Sequence, residues 1–392
     1  MDKTDFYTIF ATGSILHPTN SEKGFVEKKL NEVSDWKAVL DTAINTHLAP
    51  ILHKTFSELD VEIPDPIQTG LFNAYNQVLL RNIVLQQEFK AFAAVLNEHQ
   101  IPLVPLKGIY LSEVVYKDVG LRHLSDIDVL IKEEHLKQVC EMMEAEGWSV
   151  KWALQHSKIA GEQFNVAHPA TLIKNHVIIE LHTHLYNGNQ GANISKEALW
   201  NDTHSEQLLG VEIRQFSNEM LLQHLCLHLH KHLFGRELKI LSFCDIREFL
   251  KLKGDKFNWQ RFRELAEKHD CKEETNQILY LCNSYWSVSI PKEFLTIKIP
   301  AAELENHFRS FIAGALKEDV VLKKKMNIRL AKASKLNSNR EKIAFILGYA
   351  FPSAAFMQQR YNLTENQWLL PWYAYRLIEF SIKTVKTTFA KR

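Results

Sequence analysis

The segment LRHLSDIDVLI, residues 121–131, places two aspartates in a run that is otherwise largely apolar. Its second half, DIDVLI (126–131), predicts a buried β-strand, in which side chains alternate between the two faces of a sheet. Asp126 and Asp128 then share one face, with Cα atoms roughly 6.6 Å apart on an untwisted strand. Two carboxylates at this separation repel each other, and a divalent cation bound between them would remove that repulsion. The segment therefore indicates a metal-binding strand.

The composition describes an ordinary globular protein. The chain has 392 residues, 46% of them hydrophobic, and 47 lysines and arginines against 46 acids give a net charge of +1. This balance gives no global reason to expect a nucleic-acid or anionic-membrane surface. The five cysteines form no CxxC pair, which argues against a disulfide framework or a thiolate zinc site. No segment has the pattern of a secretory signal or a membrane span, so we expect a cytoplasmic protein without disulfide-linked partners.

The period of the apolar residues divides the chain into three regions. Residues 1–98 have mostly helical spacing, residues 99–215 contain short β-like runs, and residues 216–392 return to helical spacing. The expected strands are IPLVPL (101–106), DIDVLI (126–131), WSVKWAL (148–154), ATLI (170–173) and VIIELHTHL (177–185). We therefore predict an α+β fold with a mixed-sheet core between N-terminal and C-terminal helical regions.

Two further elements accompany the aspartates. IPLVPL runs into Lys107-Gly108 and then into a helical pattern, so backbone amides after this turn could receive a phosphate, and Lys107 would add positive charge. In VIIELHTHL, Glu180, His182 and His184 share one face, and Ile179, Leu181, Thr183 and Leu185 share the other. A third carboxylate can thus join the aspartate pair.

This order of elements resembles the DNA polymerase β-type nucleotidyltransferase superfamily. More closely, the chain resembles a family of bacterial nucleotidyltransferases in which "LKG", an arginine, "DID[LV]L" and "E[IL]H" follow one another. Those elements here are Lys107-Gly108, Arg122, Asp126 to Leu130 and Glu180 to His182. The resemblance extends to LLQHLCLHLHKHL with the following Asp245 and to FPS at 351–353, so it covers most of the chain.

The resemblance implies a magnesium-dependent transferase with an NTP as co-substrate. Asp126, Asp128 and Glu180 would be the catalytic carboxylates and metal ligands, with two Mg²⁺ ions expected. Lys107, Gly108 and Arg122 would contact the nucleotide phosphates. A nucleoside monophosphate would pass to an acceptor hydroxyl, and pyrophosphate would leave.

Each of these residues also has a plain structural interpretation. Lys107-Gly108 could be an ordinary turn, Arg122 could bridge a structural carboxylate, and Glu180 could be an edge-strand acid. Ile109 follows Gly108 where the superfamily usually has a serine or a second glycine, and this motivates a second hypothesis. Under that hypothesis the protein binds nucleotides as a regulatory or partner-binding protein with weak turnover.

Two other patterns leave alternatives open. His224, His228 and His232 lie on one helical face, which suits a zinc or phosphate contact or, more simply, a partly buried wall. The basic stretch 317–342 could contact a polyanion, which would make the protein a tRNA or polynucleotide modifier, although a solvated helix is the simpler interpretation. Nucleic acid is therefore a conceivable but not a favoured partner.

Overall fold

The structure is a computed structural model, and it describes residues 9–10, 13–152, 169–185, 194–235 and 240–315, with single residues and a short stretch between 357 and 376. The helices are α1 (Asn20–Leu30), α2 (Trp36–Asn45), α3 (Ala49–Phe56), α4 (Asp65–Glu98), α5 (Gly108–Leu111), α6 (Leu136–Ala145), α7 (Lys196–Asn201), α8 (Asn218–Gly235), α9 (Leu241–Lys253), α10 (Trp259–Lys268), α11 (Lys272–Trp286) and α12 (Ala301–Ala315). The strands are β1 (Leu103–Leu106), β2 (Ile127–Ile131), β3 (Ser149–Trp152), β4 (Ala170–Lys174), β5 (Val177–His182), β6 (Thr203–Leu208) and β7 (Val211–Phe216).

Five strands form one mixed sheet in the order β1-β2-β5-β4-β3. β2 and β5 are parallel, whereas the other neighbouring pairs are antiparallel. A mixed sheet between helices confirms the predicted α+β class. The division of the chain at residues 98 and 215 into separate domains stays a prediction.

The aspartate strand lies inside this sheet, between β1 and β5. Its apolar residues are fully buried, including Leu130, which strand alternation places on the same face as the aspartates. Since side chains on both faces of β2 are buried there, the polar face is limited to the start of the strand. A carboxylate in this position must be neutralised by nearby groups.

The strands β1, β2 and β4 agree with the sequence prediction to within two residues at each end, and the remaining differences are in β5 and β3. β5 ends at His182 rather than at Leu185, and the ring of His184, beyond the strand, contacts the Ile194 carbonyl through Nε2 at 2.8 Å. β3 covers residues 149–152, Trp148 precedes the strand as a buried residue, and residues 153–154 of the predicted WSVKWAL strand lie outside the described residues. The expected polar face of β5 thus stops after two of its three predicted residues.

A separate hairpin, β6–β7, follows the sheet and was not predicted as strands. The two residues between its strands, Leu209 and Gly210, both have positive φ, at 53° and 80°. Two positive φ values suit the tight two-residue turn that joins antiparallel strands. Because leucine occupies the first of these positions, the sequence lacks the Asn-Gly pattern that usually indicates such a turn.

The long helix α4 holds the segment that leads into the aspartate strand. The buried Asn82 amide donates to the carbonyls of Val119 at 2.6 Å and Arg122 at 2.7 Å. The preceding residue, Arg81, donates to the carbonyls of Leu124 at 2.9 Å and Ser125 at 2.6 Å. These bonds satisfy loop carbonyls and fix where β2 begins.

We expect Asn82→Ala to lower the free energy of unfolding by about 1–3 kcal/mol, because the buried Arg122 carbonyl and the partly buried Val119 carbonyl lose their donor. Urea unfolding followed by circular dichroism measures this change. Gln86→Ala is the matched control, since Gln86 lies one turn further along α4 and bonds only a side chain, Glu113, at 3.2 Å. Equal losses in the two variants would contradict a special role for the Asn82 bonds.

Two remaining findings concern the cysteines and the length of the apolar helices. All five cysteines are free and buried, as expected for a chain without disulfides. Among the helices in the described residues, none combines the length and apolar character needed to cross a membrane.

Candidate metal and nucleotide site

The parallel pairing of β2 and β5 brings two carboxylates together. Asp128 and Glu180 are direct register partners on the two strands. Register partners on adjacent strands point to the same face and lie about 4.8 Å apart. Glu180 therefore lies on the strand next to DIDVLI, as is required if it is to join the aspartates as a third carboxylate.

His182 completes a cluster of three metal-ligating side chains. One ligand atom from each of Asp128, Glu180 and His182 lies within 4.8 Å of the others, and no other such cluster occurs in the described part of the chain. His182 Nε2 is 2.9 Å from Asp128 Oδ1 and 3.9 Å from Glu180 Oε2. The imidazole therefore lies between the two carboxylates. Its place on the Glu180 face was visible in the sequence, but its role as a donor was not predicted.

Lys107 reaches the same cluster from the end of β1. Its Nζ is 3.1 Å from Asp128 Oδ2, and β1 pairs with β2 so that Leu106 is the register partner of Asp128. The Lys107 backbone has φ 45° and ψ −97°. A non-glycine residue in such a conformation carries strain of about 1–3 kcal/mol, which is a common feature of binding sites. The turn thus aims the ammonium at the carboxylates.

The charges around the two carboxyl groups are unequal. Burial alone raises the pKa of Asp128, but the Lys107 charge and the His182 hydrogen bond outweigh it and hold that pKa well below its usual value. The pKa of Glu180 is raised, first by burial and then by the negative charges of Asp128 and Asp126. Asp128 is therefore firmly ionised, while Glu180 lies in an environment with excess negative charge.

The donor set fits a divalent cation. Two carboxylates match the oxygen ligands that Mg²⁺ and Mn²⁺ prefer, and an imidazole nitrogen is a donor typical of transition metals. Lys107 already places positive charge beside Asp128, and the His182 ring lies within hydrogen-bond distance of the same carboxylate, so the site stabilises a cationic group where a metal would lie. Asp128, Glu180 and His182 are the residues that would hold the ion.

Asp126 stands apart from this three-residue cluster. It precedes β2, is partly exposed, and accepts a hydrogen bond from the Ser125 hydroxyl at 2.9 Å through Oδ1. Its negative charge nevertheless contributes to the raised pKa of Glu180. Asp126 thus lies close enough to act electrostatically on the site, and its part in metal binding stays a prediction.

Arg122 is held away from the carboxylate cluster by another acid. Its Nε and Nη2 donate to the two oxygens of Asp245, each at 2.8 Å. The guanidinium is nevertheless near the predicted phosphate turn, because a Cβ added to Gly108 would lie 3.4 Å from Arg122 Nη1 and 3.1 Å from a Leu124 methyl. Glycine at position 108 therefore keeps the turn and the guanidinium in close contact. The nucleotide-binding roles of Gly108 and Arg122 stay predictions.

The histidines of α8 form a row. The rings of His224 and His228 have centroids 6.1 Å apart, and those of His228 and His232 are 4.3 Å apart. Burial lowers the pKa of His224 well below its usual value, and the positive charge of Lys107 lowers it further. His224 is therefore a neutral, buried side chain on the site side of α8, as the wall interpretation of this row expects.

Comparisons with known proteins agree with this geometry. Residues 32–287 match the model of a family described as uncharacterised nucleotidyltransferase. Neither the curated proteins nor the solved structures gave a match. The matched range contains every site residue named above and spans well over half of the chain. The chain belongs to this family of uncharacterised nucleotidyltransferases.

Proposed function

We propose that this protein transfers a nucleoside monophosphate from an NTP to an acceptor hydroxyl and releases pyrophosphate. The observation that carries the proposal is the cluster of Asp128, Glu180 and His182 with Lys107 beside it, in a chain that belongs to a nucleotidyltransferase family. The acceptor oxygen forms a bond to the α-phosphorus as the bond to the β-phosphate oxygen breaks. The hydroxyl proton passes to solvent.

Bound divalent cations, for which Mg²⁺ is our expectation with two ions, would neutralise the triphosphate and lower the pKa of the acceptor hydroxyl. Asp128 lies centrally in the cluster and is the only member in contact with both Lys107 and His182. Glu180 lies on the neighbouring strand, where it can serve the acceptor side of the reaction. Asp126, which directly precedes β2, adds negative charge near Glu180.

In this proposal Lys107 has two roles, one without a bound cation and one with a bound nucleotide. Its ammonium neutralises Asp128 while the cluster holds no cation. With a divalent ion held by Asp128, Glu180 and His182, the Lys107 ammonium would be free to contact a phosphate oxygen of the nucleotide. Lys107 directly precedes Gly108, so a phosphate bound at that turn would lie next to the residue that carries the ammonium.

Isothermal titration with Mg-NTP, followed by a pyrophosphate-release assay, tests the proposal. The acceptor panel contains a protein hydroxyl, a sugar, an aminoglycoside-type antibiotic and a nucleic-acid end. We expect binding that requires the divalent ion and pyrophosphate release with one class of acceptor. Absence of Mg-NTP binding would refute the proposal. Binding without release across the panel would favour the second hypothesis, a nucleotide-binding regulatory protein.

The third hypothesis concerns a polynucleotide acceptor. Its sequence basis, the basic stretch 317–342, lies outside the described residues. Binding to RNA that weakens steeply with salt would support it, because neutralised phosphates release counter-ions. A cytoplasmic location remains a prediction from the sequence, and cell fractionation checks it.

A further inference from the structure

A buried ion pair joins the C-terminal helices to the loop that precedes the aspartate strand. Arg122 of that loop and Asp245 of α9 are 8% and 1% exposed. Besides both bonds from Arg122, the Asp245 carboxylate accepts one from the Tyr116 hydroxyl at 2.9 Å through Oδ1. Three donors thus hold one carboxylate, and this carboxylate in turn fixes the plane of the guanidinium.

The orientation of the guanidinium leaves one nitrogen directed elsewhere. Nε and Nη2 face Asp245, whereas Nη1 lies on the side of the Gly108 turn and makes only a long contact, 3.5 Å, with the His123 carbonyl. Burial by itself lowers the pKa of Arg122, but Asp245 outweighs it, and the charge of Asp128 adds to the rise. Arg122 therefore lies between the structural carboxylate and the candidate site.

We infer that Asp245, supported by Tyr116, is a positioning residue that presents Nη1 of Arg122 to a triphosphate bound at the Gly108 turn. The inference rests on the proposed function. A bidentate carboxylate fixes both the direction and the plane of an arginine, which a single charge cannot do. Without Asp245, the guanidinium keeps its charge but loses its fixed direction, and it gains freedom to pair with Asp128 instead. The C-terminal helical region would thus complete the nucleotide site of the core.

The test uses the full-length chain and ATP with Mg²⁺ as the probe, measured by isothermal titration. We expect Asp245→Asn to weaken ATP binding at least about ten-fold, since the guanidinium loses a charged, two-point anchor. Glu248→Gln is the matched control, because Glu248 is buried on the same helix and pairs with its neighbour Arg247. We expect the control to keep the affinity of the unaltered protein even where its melting temperature changes.

A double-mutant cycle separates positioning from general stability. Arg122→Gln should weaken ATP binding as much as Asp245→Asn, and the double variant should be no weaker than Arg122→Gln alone, because both changes remove the same contact. Tyr116→Phe, which removes one bond to Asp245, should produce a smaller loss in the same direction and serves if Asp245→Asn does not fold.

The outcomes distinguish the inference from the proposed function. If the unaltered protein binds none of the four common NTPs with Mg²⁺, the proposed function fails, and the inference fails with it; if it binds one other than ATP, that NTP replaces ATP as the probe. If it binds Mg-ATP and Arg122→Gln weakens binding while Asp245→Asn and Tyr116→Phe do not, only the inference is overturned. Additive losses in the double variant would also overturn it, since they would show that Asp245 acts independently of Arg122.

Discussion

Replacing Asp128 with asparagine is expected to abolish metal-dependent NTP binding and to cut transfer by about 1,000-fold or more, equivalent to about 4 kcal/mol of transition-state stabilisation. The carboxylate is the one member of the cluster that contacts Lys107, lies beside His182 and is the register partner of Glu180. An amide keeps the shape but provides neither the negative charge nor two equivalent ligand oxygens. Thermal melts with and without Mg-NTP, together with pyrophosphate release, measure both effects.

The metal-free protein should also lose stability in this variant. Lys107 and Asp128 are both largely buried, so the change leaves a cation without its counter-ion, which is costlier than removing both charges. Asp202→Asn is a matched control, because Asp202 is a largely buried acid that pairs with Arg261 outside the cluster. We expect the control to melt at a lower temperature but to keep its stabilisation by Mg-NTP. Full Mg-NTP stabilisation in Asp128→Asn would show that the aspartate is structural.

Sequence periodicity predicted which carboxylates share a face of the sheet, but it did not predict which positively charged or hydrogen-bonding groups surround Asp128. Alternation along DIDVLI and VIIELHTHL placed Asp128 and Glu180 on polar faces, and the parallel pairing of these strands confirmed that they are neighbours. From the sequence alone, a pair of repelling aspartates suggested that removing one would leave the fold intact or slightly more stable. The structure instead places Lys107 and His182 against Asp128, so for Asp128 the expected sign is reversed.

The residues that sequence analysis missed are those whose partners are distant along the chain. Asn82 acts on carbonyls 37 and 40 residues away. The sequence analysis named Asp245 and allowed that Arg122 bridges a structural carboxylate, but it did not predict that these two residues, 123 positions apart, pair with each other. Helical periodicity identifies which face of α4 or α9 is buried, but it does not identify which loop that face meets. His182 is a different case. Strand alternation placed it on the same face as Glu180, but the sequence did not give its distance to the carboxylates. The β6–β7 hairpin was missed because a leucine occupies a turn position that usually carries asparagine or glycine.

Glu180→Gln is expected to separate binding from chemistry. Glu180 belongs to β5, on the opposite side of Asp128 from the strand that leads to Lys107 and the phosphate turn. We therefore expect NTP affinity to stay within a few-fold of the unaltered protein, while transfer falls by at least about 100-fold because an acceptor-side ligand is lost. Single-turnover pyrophosphate release at saturating NTP, set beside titration calorimetry, measures the two quantities independently.

The melting temperature of Glu180→Gln gives a second criterion. Its expected change is opposite to the loss of stability expected for Asp128→Asn. The pKa of Glu180 is raised by burial and then by the charges of Asp128 and Asp126. A carboxyl group with a raised pKa in the folded state is destabilising when it is ionised, so at neutral pH its ionised form opposes folding in the absence of metal. The uncharged glutamine removes this repulsion, and the metal-free melting temperature should stay the same or rise. If Glu180→Gln reduces transfer but retains NTP affinity and stability, Glu180 is needed for the chemical step. Its ionised carboxylate then supports catalysis although it destabilises the metal-free fold. A fall in melting temperature, or NTP binding lost together with transfer, would assign it to the same structural and nucleotide-binding role as Asp128.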